Sequence, residues 1–540
     1  MGAVKKTIFA AITESVSGTL ETDGAGDALT IVDLKLSPKL EQVKRSVMRG
    51  SLTQLPALPG KQTASFEVTC ELRGSGTHVV VPEFAPLLES AFGVQRTAVG
   101  GIVSGAKTTS TTIFSVSGTS LADEDDILIR VGTTYLKKHI SDLTENTVDE
   151  TITISVALAQ APTNGTPVVK YVSNGTVAAS PAPTTTTFDL TGGTLQEDDE
   201  ILVEIGAAYE STVVTSVTPG SGVQSIVVSP ALSLAPSTGA NVVVNTLAGT
   251  VVVTAAPTTT VFTVMDDGSP VVDLAIGDPI LVDISATATP SWSLAWVTAV
   301  TDGDLRQTVT VTPTLGAAPT ADHEIVGSIT YKLTSDDTVR PTFSAYAYLD
   351  GGVKFSFAGC LATFKMADFA VGNIPKLVFQ VESIAWTVSD TACAYTPTND
   401  VTLKPPIVLG ASLTLGGSET YVRNVEFDLG QKITRREAIQ ATSGTRSMAV
   451  TERLVTGSID PYQDDSAQFS AWQAMTTAEL RIKLADKLAA PNLIALRMPE
   501  ITRTDVTLED ADGVWANKIP FDCGGSDDQE VVLGFIKTPA

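Results

Sequence analysis

Residues 63–93, TASFEVTCELRGSGTHVVVPEFAPLLESAFG, carry two hydrophobic periods in succession. Phe66, Val68, Cys70 and Leu72 alternate with Ser65, Glu67, Thr69 and Glu71, the period of two that marks a half-buried β-strand. Gly74, Ser75 and Gly76 end that pattern. From Pro82 onward Phe84, Leu87, Leu88 and Ala91 fall at i, i+3, i+4 and i+7, one apolar face of a helix. Pro86 is early enough in that helix to be tolerated, and Gly93 stands at its C-cap. A strand followed by a short amphipathic helix is predicted, with Phe66, Val68, Leu72, Leu87 and Leu88 in a shared core.

The same succession recurs at 445–475, TRSMAVTERLVTGSIDPYQDDSAQFSAWQAM. With one extra residue allowed, Ser447 aligns with Ser65, Val450 with Val68, Leu454 with Leu72 and Gly457 with Gly74. Asp460-Pro461 then supply an N-cap and a proline at N1, before an apolar face with Phe469 and Trp472. Val450, Leu454 and Trp472 join the expected core. The pattern predicts a tandem duplication with a long insertion in the first copy.

Residues 27–36 alternate and read as a strand. The polar segment 37–62 that follows has too many Gly and Pro for a helix and is too long for a tight turn. Its counterpart is 430–447, after an alternating strand at 425–429. Basic residues recur at similar places, Lys44, Arg45 and Arg49 in the first segment and Arg435 and Arg436 in the second. Long ordered loops are usually functional, so a contact role for these five residues stands beside the plain reading of a solvated loop. Further alternating strands are expected at 343–349, 353–360 and 376–384, and in the second copy at 479–484, 493–498 and 518–523.

Between about 100 and 330 the texture changes to Thr, Val, Ala and acid, and a repeat of 74 residues appears. Phe114, Phe188 and Phe262 are spaced by it, as are Asp125 and Asp199, and Pro162 and Pro236; the third unit, ending at Pro319, is a few residues longer. Each unit, with about five short strands, reads as a small all-β barrel or sandwich. The domain layout is therefore a first core at 1–98 and 330–395, interrupted by repeats at 99–174, 175–248 and 249–329. A linker at 396–406 and a second core at 407–540 complete it. The second copy spans the corresponding connection in a few residues, so the insertion point is expected to face outward.

Composition sharpens this picture. Of the 540 residues 43% are hydrophobic but only 6% aromatic, with 42 Gly and 28 Pro, which favours a mainly β fold rich in turns. The net charge of −25 disfavours a nucleic-acid-wrapping role. Residues 101–330 hold 24 acidic and 6 basic side chains, a net of −18, leaving −7 elsewhere, so the acid is concentrated in the insert and suits a solvated outer surface. Cys70, Cys360, Cys393 and Cys523 are too few for a disulfide framework and read as small buried hydrophobes. Lys5-Lys6 and the apolar patch after them imitate a signal peptide, but Glu14 ends the patch, and an ordinary N-terminal strand is expected. No apolar run reaches transmembrane length.

Catalytic constellations are lacking. His78, His139 and His323 lie in different modules without zinc-type spacing. Gly60-Lys61 lacks the upstream glycine of a phosphate loop. Asp510 to Gly513 reads as a turn rather than a calcium loop. The carboxylates at 123–126 and 197–200 read as solvated acidic edges, and Asn164-Gly165 and Asn174-Gly175 as turns before glycosylation sites. No enzyme activity, cofactor or metal is expected.

Several stretches together resemble the tail tube (major tail) proteins of long-tailed bacteriophages. They are FEVTCELRGSG with VPEFAPLLESAFG, SAYAYLDGGVKFSFAGCLATF, KPPIVLGASLTLGG with VEFDLGQKITRRE, and LVTGSIDP; together they cover most of 25–98 and 340–540. The resemblance implies two tandem β-sandwich or barrel cores, each with a flanking helix, plus the three inserted all-β repeats. It implies subunits whose strands join into a continuous barrel around a channel, in rings stacked through the loops 37–62 and 430–447. It further implies a virion tail assembled in the host cytoplasm. The partners would be other copies of the chain, a tape measure protein in the lumen, and terminator and tip proteins at the ends. DNA would pass without specific binding, and no membrane is involved. Two cores per chain suggest trimeric, pseudo-sixfold rings, with the insert decorating the outside of a non-contractile tail. A carbohydrate-binding surface adhesin is the alternative of a different class.

Overall fold

A computed structural model describes residues 7–45, 56–77, 80–104, 109–117, 121–144, 149–245, 247–252, 256–265, 272–285, 290–303, 306–350, 352–394, 404–463, 465–485, 492–525 and 528–537. The chain opens with β1 (Ile8–Thr13), β2 (Ala28–Leu29), β3 (Ile31–Val43), β4 (Leu58–Glu71), α1 (Ala85–Phe92) and β5 (Gly93–Thr97). The insert begins with β6 (Gly101–Val103), β7 (Ile113–Ser117), β8 (Asp126–Val131), β9 (Thr134–Thr144), β10 (Asp149–Ile154) and β11 (Pro167–Lys170). It continues as β12 (Ser173–Val177), β13 (Thr187–Thr191), β14 (Glu200–Ile205), β15 (Ala208–Pro219), β16 (Val223–Ser229) and β17 (Asn241–Val244). It ends with β18 (Leu247–Val252), β19 (Val261–Met265), β20 (Pro279–Asp283), β21 (Trp292–Gly303), β22 (Arg306–Thr312) and β23 (Glu324–Val326). The first half resumes as β24 (Ile329–Leu333), β25 (Phe343–Leu349), β26 (Val353–Ala370), β27 (Lys376–Ser383) and β28 (Ala385–Asp390). The second half comprises β29 (Ser412–Leu415), β30 (Ser418–Glu419), β31 (Val422–Asp428), β32 (Gln431–Glu437), β33 (Thr445–Arg453) and β34 (Thr456–Pro461). After α2 (Ala467–Gln473) come β35 (Ala478–Ala485), β36 (Asn492–Arg503), β37 (Thr507–Ala511), β38 (Val514–Gly524) and β39 (Val532–Lys537). The fold is mainly β, and no helix among the described residues is long and apolar enough to cross a membrane.

The alternation in 63–72 produces β4, with Phe66, Val68, Cys70 and Leu72 buried and Glu67 and Glu71 on the other face. Helix α1 buries Leu87, Leu88, Ala91 and Phe92. It ends at Gly93, whose φ of 93° lies in the left-handed region that favours glycine and whose N–H bonds to Glu89 O. Strand by strand, the two halves then make the same pairings. In the first half β2, β1, β25, β26, β27, β4 and β3 pair in that succession, with β28 also on β26. In the second half β30, β29, β35, β36, β38, β34 and β31 do the same, with β39 on β36. β26 also pairs with β31 of the second half, Lys365 opposite Asp428 and Met366 opposite Phe427. β24 of the first half likewise pairs with β39 of the second, and through these two ladders the halves become one sheet over one apolar cluster, in which Phe364 and Phe427 meet edge to face at 5.7 Å.

Three expectations in the second half are displaced. The stretch aligned with the Phe66 strand is β33, which pairs only with β32, in a two-stranded sheet of its own. The strand in the place of β4 is β34, where Ile459 lies opposite Val425 as Val68 lies opposite Leu34. Val450 is accordingly only half-buried and Leu454 is 57% exposed, so neither belongs to the core. Alternation identifies a strand but not the sheet that receives it. Asp460-Pro461 end β34 rather than starting a helix; α2 follows Ser466, and Trp472 is half-buried against the core, its Nε1 donating to Thr504 O at 3.2 Å. The described parts of the segments 37–62 and 430–447 are mainly paired strands, not loops. β3 and β4 stay paired outward to Val43 and Leu58, and β32 and β33 form the second ribbon.

The insert does not follow the boundaries 99–174, 175–248 and 249–329. Each repeat is a closed unit of six strands, not five. The second is continuous, β12 to β17. The first takes β7 to β11 and closes on β18, whereas the third takes β19 to β23 and closes on β6. Strands β6, β12 and β18 are sequence equivalents, since Gly101, Gly175 and Gly249 are 74 apart, as are Val103, Val177 and Val251. Their registers agree too: Val264 faces Val103, Leu190 faces Val177, and Val116 faces Val251. Repeats one and three have exchanged closing strands. The chain thus enters and leaves the insert through one barrel. β5 and β24 pair alongside, and Ala98 and Ser328 exchange two backbone hydrogen bonds. The approach is so close that a Cβ on Gly100 or Gly327 would lie 1.9 Å from a carbonyl oxygen.

The exchange is testable by cross-linking. Ile102 faces Met265 in the exchanged form and would face Ser117 in the unexchanged one, as Thr176 faces Thr191 in repeat two. Directly opposed strand positions lie within disulfide reach. The Ile102→Cys, Met265→Cys pair should oxidise to an intrachain disulfide and the Ile102→Cys, Ser117→Cys pair should not, as read by peptide mapping. The reverse result means the repeats are simple beads.

Candidate assembly surface

The strands β3, β4, β27, β26, β31, β34, β38 and β36 with its continuation β37 form one antiparallel sheet of eight. One register row crosses all of it: Asp33, Thr69, Val378, Lys365, Asp428, Thr456, Asp522 and Thr502. The period of two places Glu67, Glu71, Glu382, Glu426 and Asp460 on this same face, with Lys35, Lys376 and Lys518, while the alternate positions enter the core. Burial pushes the Asp460 carboxyl above its ordinary range despite Arg423 and Lys518 nearby. A depression of about 410 Å³ on this face lies between Lys35, Glu67, Thr363, Gln380, Glu382 and Gln431.

The two lateral edges of the sheet, β3 and β37, have no strand partner on their outer sides among the described residues. The internal seam supplies the comparison. β31, covered by β26, buries Val425 and Phe427, whereas Leu34 and Leu36 on the uncovered β3 are half-buried. The helices differ in the same way. α1 is sealed by the second half, with Phe84 6.1 Å from Phe535 and Gln431 Nε2 donating to Ala91 O at 2.8 Å. α2, in the equivalent place, buries no residue fully. Exposed apolar side chains gather on these flanks, Val32 and Val388 on one, and Met475, Leu508, Val514 and Trp515 (62% exposed) on the other. Fully covering one such side chain is worth about 1.5–3 kcal/mol.

Of the basic ribbon residues, Lys44 and Arg45 are exposed at the end of β3, and Arg49 lies outside the described residues. Arg435 is engaged within the chain, its Nη2 donating to Ala64 O at 3.0 Å and to Ser383 O at 3.4 Å and pairing with Glu382. Arg436 is mostly exposed, 3.8 Å from Asp337. The ribbons touch each other through Lys61 and Glu437 and through Gln62 N–H to Ser443 O at 3.2 Å. Sequence reasoning took the two segments as separate loops; it had no signal for their contact, which depends on the order of strands in the sheet.

Repeat three is seated on the second half, not held apart from it. Leu281, Leu294, Trp296 and Val326 pack with Leu493, Ala495 and Ile536, and Arg481 lies 5.6 Å from the Trp296 ring centroid. Asp278, fully buried, receives Arg96 Nε at 3.1 Å and Lys332 Nζ at 2.9 Å from the two neck strands. Its counterparts Asp125 and Asp199 close turns, accepting the N–H of Ala122 at 2.8 Å and of Gln196 at 2.7 Å. The acidic clusters are thus partly turn chemistry.

His139 lies between Asp126 and Glu124, at 3.1 Å from each, and the hydrogen bond to Asp126 raises its pKa. His323 contacts Thr320 Oγ1 and Asp283 O, and His78 lies outside the described residues. Asp510 accepts the Gly513 N–H at 2.7 Å in the β37–β38 turn. Among the described residues no group of three or more His, Cys, Asp or Glu is arranged to hold a metal ion. Cys70 and Cys360 are buried, burial pushing both thiols up, whereas Cys393 and Cys523 are only half-buried.

Residues 263–517 match the family described as phage tail tube protein. The match begins inside repeat three, not at 330 where the insert was expected to end. No curated protein matches the chain. Asp278→Ala should remove the buried carboxylate that Arg96 and Lys332 share, leaving Arg96 with Asp273 and Lys332 with the Ile276 carbonyl, and cost at most about 3 kcal/mol, the low end for a broken buried pair. Hydrogen exchange should accelerate in β5 and β24 while β34 stays protected; unchanged exchange in the neck would mean that the pair holds nothing.

Proposed function

We propose that this chain, which matches the phage tail tube family over residues 263–517, is a structural protein of the virion tail that self-assembles into a tube, and that each chain fills two neighbouring places of a six-place ring. The single observation that carries this reading is the seam between β26 and β31, which joins two halves with the same pairings into one sheet. We read the halves as a tandem duplication. The internal seam is then the template for the contact between chains: β37 of one chain meets β3 of the next, and the flank with α2 meets the flank with β28. Heterologous contacts of this kind close a ring when the rotation fits. Three chains, each with eight strands, form a barrel of 24.

The polar face of the sheet lines the channel, since its other face is already buried. Its predominance of carboxylates repels the phosphate backbone of a passing genome, and the absence of an apolar stripe gives DNA nothing to adhere to. The chain works without catalysis. A tape measure protein fills the lumen before ejection, and terminator and tip proteins close the ends of a tube assembled in the host cytoplasm. The ribbons project from the sheet and carry Lys44, Arg45 and Arg436 to the next ring. Exposed pairs are worth only about 0–1 kcal/mol each, but they recur around the ring.

Two assembly experiments test this reading. Lys44→Glu, Arg45→Glu and Arg436→Glu together should give separated rings or short stacks by negative-stain microscopy; long tubes formed as readily as before would show the ribbons to be merely solvated. Repeats one and two should be dispensable, because deletion of 104–251 joins β6 to β19 with the connector that joins β12 to β13 in repeat two. The shortened chain should form tubes of unchanged inner diameter with smaller projections. A folded deletion variant that forms no tube would contradict this assignment.

A further inference from the structure

The three repeats share one apolar docking face. In repeats one and two it consists of Leu128, Tyr135 and Val169 and of Leu202, Tyr209 and Val243, each set 74 residues from the other. These six residues pack together in a single cluster, with Tyr135 directly opposite Tyr209 across an antiparallel strand pair. The two repeats therefore meet face to face, each residue near its own equivalent, as in an isologous contact. Strand registers identify the same positions in repeat three. Leu281 faces Val326 as Leu128 faces Val169 and Leu202 faces Val243, and Trp292 stands opposite Asp283 as Tyr135 stands opposite Arg130. There the face meets no repeat. It is seated on the socket of Leu493, Ala495 and Ile536.

One strand differs between the two modes. Its outward positions read Trp292, Leu294 and Trp296 in repeat three, Tyr135, Lys137 and His139 in repeat one, and Tyr209, Ser211 and Val213 in repeat two. Leu294 and Trp296 are buried against the tube-forming part of the chain, and Arg481, which stacks on Trp296, also donates to Thr312 at 2.9 Å. In repeat one, Lys137 is exposed, 3.5 Å above the Tyr171 ring and paired with Asp126, while His139 bridges Asp126 and Glu124. Neither side chain could enter the apolar socket without losing its partners and its water.

We propose that these three outward positions select the partner of the shared face: Trp-Leu-Trp directs a repeat to the socket on the tube, and a polar centre directs it to another repeat. An odd number of repeats then leaves no face uncovered, because one anchors and the other two cover each other. Nothing in this inference depends on what the tube conducts.

The test is the full-length chain with Trp292→Tyr, Leu294→Lys and Trp296→His, which places the repeat-one side chains on repeat three without touching its interior. Amide exchange across Ile494–Leu496 and in β39 should accelerate on the order of tenfold or more. Protection in β19 and β22, which form the barrel wall, should stay as it was. Unchanged protection at Ile494–Leu496 in a folded barrel would overturn the proposal. Ala495→Lys, which leaves every repeat intact, tests the socket from the other side and decides the matter should the triple variant lose its barrel. Release of repeat three supports the selection rule, and continued seating refutes it.

Discussion

The ladder between β26 and β31 is the contact on which the rest of the arrangement depends. Without it the halves would be joined in strand pairing, among the described residues, only through β24 on β39, and the row of eight strands would break into two sets of four with two more uncovered edges. With it, Val425 and Phe427 become interior residues and one register row runs across eight strands. A strand edge with alternating apolar residues is a template for further pairing. The chain satisfies that template once internally and leaves its equivalents, β37 and β3, at the two ends. Half-buried Leu34 and Leu36, exposed Trp515 and the uncovered α2 are what such a seam looks like before its partner arrives.

A second constraint shapes the insert. A repeat with an apolar face that meets nothing leaves that patch in water. Pairing of repeats one and two removes two faces, and the socket removes the third. The exchanged strands β6 and β18 add to this. β6 closes repeat three and β18 closes repeat one, so the chain enters and leaves the insert through the same barrel, next to the paired strands β5 and β24.

Much of the fold was legible in the sequence because its signals are local. The alternation at Phe66 to Leu72, the helical spacing of Leu87 and Leu88 and the 74-residue period each lie within one element or one repeat. What misled was also local. Val450 and Leu454 alternate as well as Val68 and Leu72 do, but β33 pairs away from the core, and only the order of strands in the sheet tells the two apart. The exchange of β6 and β18 was visible only as the Gly101, Gly175 and Gly249 spacing, which gives equivalence without saying which barrel each strand closes. Arg435 was read as a loop residue with either a contact role or plain solvation, yet its partner Glu382 lies in the other half of the chain, and no sequence window spans both. The edges and flanks were the least accessible part, because they are defined by partners that a single half does not contain.

Helical reconstruction of the assembled tube at side-chain resolution tests the central claim most directly. The account predicts three chains in each ring, with β37 of each antiparallel to β3 of the next and the row from Asp33 to Thr502 facing the lumen. Six chains in each ring, or contacts that leave β3 and β37 both unpaired, would contradict it.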